Sequence, residues 1–144
     1  MPLEIRTAVS KDTPAVAPLL AELGYPQQAD ELAARITRLA DTRTDAVLVA
    51  ELDGRIVGVA CLHVTVFLHL PGAGRARLTA LVVDSAYRGS GIGGRLLRAA
   101  EEAAAQRDCI AVELTSAAHR EAAHRFYRAA GYEDVPRRFI KDLK

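Results

Sequence analysis

The stretch "VVDSAYRGSGIGGRLL", residues 82–97, decides how this chain is read. Four glycines, Gly89, Gly91, Gly93 and Gly94, fall within six positions, and a periodic apolar run follows at once. Each glycine removes a side chain and permits positive φ, so successive backbone N–H groups can turn toward one ligand. A helix beginning near Gly91 adds unpaired N–H groups and the positive end of its dipole. Arg88 supplies a fixed charge at the mouth. The stretch therefore predicts a pyrophosphate site, and the question is which pyrophosphate it holds.

Two common answers fit poorly. A P-loop needs Lys and then Ser or Thr after its last glycine, to meet the phosphates and Mg²⁺. Here Gly94 is followed by Arg95 and Leu96. The dinucleotide pattern G-x-G-x-x-G is matched literally by Gly89, Gly91 and Gly94, with Glu113 as an acidic residue further on. That loop should follow its strand directly and open a series of βαβ units. Asp84 to Arg88 intervene here, and too little chain follows to complete such a sheet.

The segments on either side give the order of elements. "LEIRTAV" (3–9) alternates like a strand. "SKDTPAVAPLLAELG" (10–24) reads as a helix capped by Asp12 or Thr13, with Pro14 in its first turn and Gly24 at its end. "QQADELAARITRLAD" (27–41) is a second helix with Leu32, Ile36 and Leu39 on one side. Two β-rich runs, extending to Leu70, flank Asp53-Gly54, a strong hairpin signal. "RARLTALVV" (75–83) is a further strand leading into the glycines. Beyond them come a helix to about Arg107, a short strand in "CIAVELTS" (109–116), a helix in "HREAAHRFYRAAG" (119–131), and two final strands, "YEDV" and "RFIKDL", around Pro136. The expected order is β-α-α-β-β-β-α-β-α-β-β. This is an α/β fold with a mixed, mostly antiparallel sheet of about seven strands, in one domain covering 1–144.

With that order in view, "RGSGIG" (88–93) matches the R/Q-x-x-G-x-G/A pattern of the GNAT N-acetyltransferases, and "LVVDSAYRGSGIGGRLL" resembles that family's acetyl-CoA motif throughout. The resemblance extends to "DGRIVGVA" (53–60) before the motif and "AAHRFYRAAGYE" (122–133) after it. It implies that acetyl-CoA is the cosubstrate and that Arg88, Gly89, Ser90, Gly91, Ile92, Gly93 and Gly94 hold its pyrophosphate, with Arg95 near the edge. It implies that Leu81, Val82 and Val83 pair with the pantetheine amides as an added strand would. Such pairing requires the strand at 109–114 to splay away, giving a splayed central pair. An amide near Val82 or Val83 would then polarise the thioester carbonyl.

The resemblance also bears on catalysis. It places the Tyr127 hydroxyl near the sulfur, where a phenol suits donation to a departing thiolate. Without it, Tyr127 beside Phe126 reads as a packing residue on an amphipathic helix. Glu113 stands where some relatives place a base for the amine, and equally reads as a polar-face carboxylate or an arginine's partner. His119 and His124 are of a residue type suited to acid–base chemistry but lie on a surface-rich helix. His63 and His69 alternate with apolar residues, facing solvent, a cleft or a partner chain. The asparagine that many relatives carry near the start of the last helix is absent, with Arg120 or His119 as substitutes.

Composition narrows the function classes. Across 144 residues, 50% are hydrophobic and 26% charged, as in an ordinary folded domain. The net charge is +1, and no basic stripe points to nucleic acid. No apolar run reaches the length of a membrane span. Cys61 and Cys109 form neither a disulfide framework nor a CxxC metal site, and read as inert thiols. No metal is expected. The N-terminus lacks the regions of a signal peptide, so a cytoplasmic location is expected. The resemblance implies a small-molecule or peptide amine as acceptor; Asp30, Glu31, Asp41 and Asp45 would attract a cationic one, if they are more than a solvated helix face. Exposed strand edges and the apolar 64–70 run make a homodimer a reasonable expectation. The competing expectation to an enzyme is a GNAT-fold sensor or interaction module that binds acyl-CoA with weak catalysis.

Overall fold

In the computed structural model, which describes residues 2–116, 120–135 and 138–144, the chain opens with strand β1 (Leu3–Thr7). A 3₁₀ turn (Ser10–Asp12) leads into helix α1 (Thr13–Glu22). Asp12 is buried there, but its carboxylate does not cap α1. It accepts from the Val9 N–H (2.8 Å) and from Nη1 and Nη2 of the Arg6 guanidinium. Helix α2 (Ala29–Ala40) is capped by the Gln28 side chain, which accepts from the Glu31 N–H at 2.8 Å.

Strands β2 (Asp45–Leu52) and β3 (Arg55–Thr65) form the expected hairpin. Asp53 and Gly54 both take positive φ, 50° and 77°, as a type I′ turn requires. Strand β4 (Arg75–Val83) pairs antiparallel with β3. The run to Leu70 was expected to stay extended, but β3 stops at Thr65. Thr65 already faces Arg75, the first residue of β4, so residues 66–74 serve to close the connection. Val66 and Leu68 are exposed there.

Helix α3 (Ile92–Gln106) follows the glycines, and strand β5 (Ala111–Glu113) pairs parallel with β4. Among the described residues the sheet has five strands in the order β1-β2-β3-β4-β5, mixed and mostly antiparallel. The two strands expected after residue 131 are absent from 132–135 and 138–144; Pro136 between them lies outside the described residues. Val135, Phe139, Ile140 and Leu143 are exposed. Alternation supplies an apolar face, but a strand also needs a neighbour to bond its backbone, and no described strand accepts these segments.

Helices α1 and α2 cover one face of the sheet, where Val16, Leu19, Leu32 and Ile36 meet Val47, Val49 and Val59. Helix α3 covers the other, placing Ala103 and Ala104 against Ala46, Leu62 and Ala76. Gly58 on β3 lets α3 seat closely, since a Cβ there would stand 2.7 Å from Leu96 Cδ1. Each fully buried Leu or Val contributes about 1.5–3 kcal/mol. Burial therefore outweighs exposed ion pairs such as Arg128–Asp134, worth about 0–1 kcal/mol.

The chain divides into two units, Met1–Leu114 and Thr115–Lys144. The first contains the whole sheet and α1 to α3. The second contains helix α4 (Glu121–Ala129), where Tyr127 stacks edge-on against Phe126 and Tyr132. None of the described helices is long and apolar enough to cross a membrane.

Candidate active site

The glycine loop is built from the end of β4 outward. The Asp84 N–H donates to the Val57 carbonyl (2.8 Å), and its carboxylate accepts from the Ala86 N–H (3.0 Å), capping a 3₁₀ turn at Ser85–Tyr87. The Ser90 hydroxyl donates to the Tyr87 carbonyl at 2.6 Å and closes the turn. Gly89 and Gly91 take φ of 84° and 85°, and α3 begins directly after Gly91. A Cβ added at either glycine would meet no atom within 4 Å. The left-handed backbone, rather than crowding by the protein, is what selects glycine here, and the space above both is open. No acidic residue lies in the first turn of α3, so its positive end is uncompensated. An open, amide-rich turn at a helix N-terminus fits a pyrophosphate.

Both arginines of the motif are engaged. Arg88 Nε donates to the Val83 carbonyl (3.1 Å), and its Nη2 meets Glu22 Oε1 at the end of α1 (3.1 Å). Its charge is therefore at the mouth but shared with a carboxylate. Arg95 reaches the Leu3 carbonyl on β1 (3.3 Å), so in this structure it braces α3 against the first strand.

Strand β4 offers the open edge that the resemblance requires. It pairs with β5 only from Arg75 to Arg77, so residues 78–83 have no described partner on that side. The direction of the free groups follows from Asp84, whose N–H points to β3. Backbone groups alternate between the two edges of a strand. Val82 thus faces β3, while Leu81 and Val83 face the open edge, where Arg88 already takes the Val83 carbonyl. Of the three residues expected here, Leu81 and Val83 are the ones with amides to offer.

A feature not legible in the sequence lies one step earlier. The register between β3 and β4 slips between Cys61 and Leu62, whose partners are Ala80 and Leu78, leaving Thr79 as an extra residue. Such a bulge kinks the strand and re-aims its side chains. Beside it lies a cavity of about 360 Å³ under α1 and α2, lined by Leu20, Ile36, Leu39, Cys61, Thr79 and Ala80 among others. Arg35 is the one charged residue among those that line it. The carboxylates expected to draw a cationic amine are elsewhere. Asp30, Glu31 and Asp41 are exposed, and Asp45 is buried and hydrogen-bonded by Thr42, Thr44 and His63.

Among the catalytic candidates, Tyr127 is half-buried on α4, and burial pushes its phenol above the usual value, against an opposing effect of Arg120. Its proton is held at neutral pH. Glu113 ends β5 with Oε2 at 3.6 Å from Arg75 Nη1, the arginine partnership that the sequence left open. Burial raises the thiols of Cys61 and Cys109, which keeps both protonated and weak as nucleophiles. His69 packs edge-on against Phe67, His124 is half-buried on α4, and His119 lies outside the described residues.

Comparison with known proteins gives a consistent result. The profile of the acetyltransferase (GNAT) family matches residues 13–132. An aminoalkylphosphonate N-acetyltransferase of Salmonella typhimurium is 36% identical over 145 residues, covering 97% of this chain and 91% of that protein. An uncharacterised N-acetyltransferase of Bacillus subtilis is 30% identical, over 92% of this chain and 91% of its own. Among solved structures, an acetyltransferase of Trypanosoma brucei superposes with a TM-score of 0.79 at 29% identity, covering 99% of this chain and all (100%) of the other.

Proposed function

The chain belongs to the GNAT family and is an N-acetyltransferase, and from that premise we propose that it moves the acetyl group of acetyl-CoA to the primary amine of a small molecule bearing an anionic group, by direct attack in a ternary complex. The observation that carries the cosubstrate is the open β4 edge running into two left-handed glycines at a helix N-terminus. Leu81 and Val83 would pair with the pantetheine, and the amides of residues 89–94 would take the pyrophosphate. The bound thioester supplies an activated acyl group; the chain aligns it with the amine, and alignment alone accounts for much of the acceleration. Tyr127, still protonated at neutral pH, would return a proton to the departing sulfur.

Two observations support an anionic acceptor. The cavity beside the bulge is mostly apolar with a single guanidinium, Arg35, and no carboxylate among the residues lining it. A cationic polyamine would gain nothing there, whereas a phosphonate or carboxylate would find a partner suited to paired hydrogen bonds. The Salmonella relative bears the name of an aminoalkylphosphonate N-acetyltransferase. Thiol release from acetyl-CoA tests the reading against aminoalkylphosphonates, amino acids, polyamines and an aminoglycoside. The expected order places the aminoalkylphosphonates first, and loss of that preference in Arg35→Gln. Equal rates for polyamines would remove the anionic class, and no release with any amine would remove the enzymatic reading.

A further inference from the structure

Four strands bring a row of polar side chains onto the face of the sheet that α1 and α2 cover. In register, Asp45 on β2 lies opposite His63 on β3, His63 opposite Arg77 on β4, and Arg77 opposite Glu113 on β5. Side chains directly opposite on paired strands share a face. His63 also follows Cys61 by two positions, and Cys61 lines the cavity. Two residues along a strand span about 7 Å, a distance that an imidazole and one water bridge.

Asp45 and His63 form a directed pair. Asp45 Oδ1 lies 2.8 Å from His63 Nδ1, and the hydroxyls of Thr42 and Thr44 each donate to Oδ2 at 2.9 Å. Burial by itself would raise the Asp45 carboxyl, but the hydrogen bonds from His63, Thr44 and Thr42 outweigh it and hold the carboxyl below its ordinary value. An ionised carboxylate only accepts, so Nδ1 carries the hydrogen and Nε2 carries the lone pair. Arg107 from α3 donates to the Asp45 backbone carbonyl and holds the residue from behind. The carboxylate is 9% exposed and the imidazole 50% exposed. This is a buried orienting acid with a solvent-facing base. Glu113, by contrast, has its carboxylate 3.6 Å from the Arg75 guanidinium in a part-exposed ion pair.

We propose that His63, oriented by Asp45, is the general base that takes the proton from the acceptor's ammonium. The proposal rests on the acetyltransfer reading above. The proton leaves the ammonium for Nε2, directly or through one water, and passes to solvent from the exposed side of the ring. The freed lone pair forms the C–N bond, the C–S bond breaks, and the second proton of the amine balances the one delivered to the sulfur. Asp45 is a positioning residue in this scheme. The charged groups that face His63 are Asp45 on β2 and Arg77 on β4, with Arg75 and Glu113 beyond.

The test uses the full chain, acetyl-CoA and the best amine of the panel. His63→Gln is expected to lower kcat/KM by about 10²-fold and to remove the acidic limb of its pH profile, with acetyl-CoA affinity unchanged. In His63→Ala, added imidazole should restore part of the lost rate. Asp45→Asn should lower kcat/KM less and displace the same limb. Melting curves identify any variant that fails to fold, and His63→Gln, at a half-exposed position, keeps the test available if Asp45→Asn does not fold. An active wild type whose His63→Gln variant keeps both rate and limb would overturn the proposal alone. So would loss of the limb in Glu113→Gln but not in His63→Gln. A wild type that acetylates no amine would overturn the parent reading and this proposal with it.

Discussion

Gly91 is constrained by its own backbone and, on the proposed reading, by the pyrophosphate it would receive. Its φ of 85° disfavours any Cβ, and the space a side chain would enter is the space assigned to pyrophosphate. Gly91→Val should abolish acetyl-CoA binding in titration calorimetry, and retained micromolar affinity in a folded variant would refute the loop assignment. Tyr127 tests the chemistry rather than the binding. Tyr127→Phe keeps the ring contacts with Phe126 and Tyr132 and removes only the hydroxyl. Thiolates of this kind leave fairly well unaided, so kcat should fall by roughly 10- to 100-fold, the low end for a positioned acid. The deficit should shrink with a donor whose thiol is more acidic. Wild-type turnover under conditions where chemistry limits would return Tyr127 to a packing role. The glycine turn was legible in the sequence because its residues are adjacent, whereas the role proposed for Tyr127 comes from the resemblance to the family and not from its local pattern. The Asp45–His63 pair was not legible, since its members stand 18 positions apart and meet only through the β2–β3 register.

At the scale of elements, the join of α3 to the sheet depends on Gly58. Adding a methyl there would press on Leu96 Cδ1 at 2.7 Å and on the Val82 carbonyl at 3.3 Å. Leu96 is fully buried and the carbonyl belongs to β4, so neither yields freely. Gly58→Ala should cost about 1–3 kcal/mol as an overpacking change, measured by urea unfolding. A neutral result would mean that α3 moves outward without penalty. Helices and hairpin were readable from period and turn residues. Where strands end was not: β3 stops at Thr65, β5 is three residues long, and Thr79 bulges because of what their neighbours do. Pairing partners are distant in sequence and leave no local mark.

For the whole molecule, two buried carboxylates among the described residues, Asp12 and Asp45, favour the fold when ionised. The Arg6 guanidinium holds the Asp12 carboxyl down, aided by the Val9 N–H and opposed by burial, and Asp45 is held down by its own hydrogen bonds. A lowered folded value means that the ionised form favours the fold. Their contribution is complete above the unfolded carboxyl value of about 3.9 and is lost as pH falls through the lower folded values. Unfolding free energy should therefore decline below about pH 4, and Asp12→Asn should flatten that decline while lowering stability at pH 7. An unaltered slope in Asp12→Asn would exclude Asp12 as a source of the acid lability. The contact between Arg88 and Glu22 has a consequence for ligand binding. It spans 66 positions and ties the end of the first helix to the glycine loop. On the proposed reading, in which this loop takes the pyrophosphate of acetyl-CoA, anion capture would be an ion exchange, the diphosphate competing with the Glu22 carboxylate for the guanidinium. Such an exchange would lower intrinsic affinity and disfavour weak monoanions, by no more than the small energy of a largely exposed ion pair. Glu22→Gln should tighten acetyl-CoA several-fold and tighten chloride or sulfate inhibition with it, so that the loop becomes greedier and less selective.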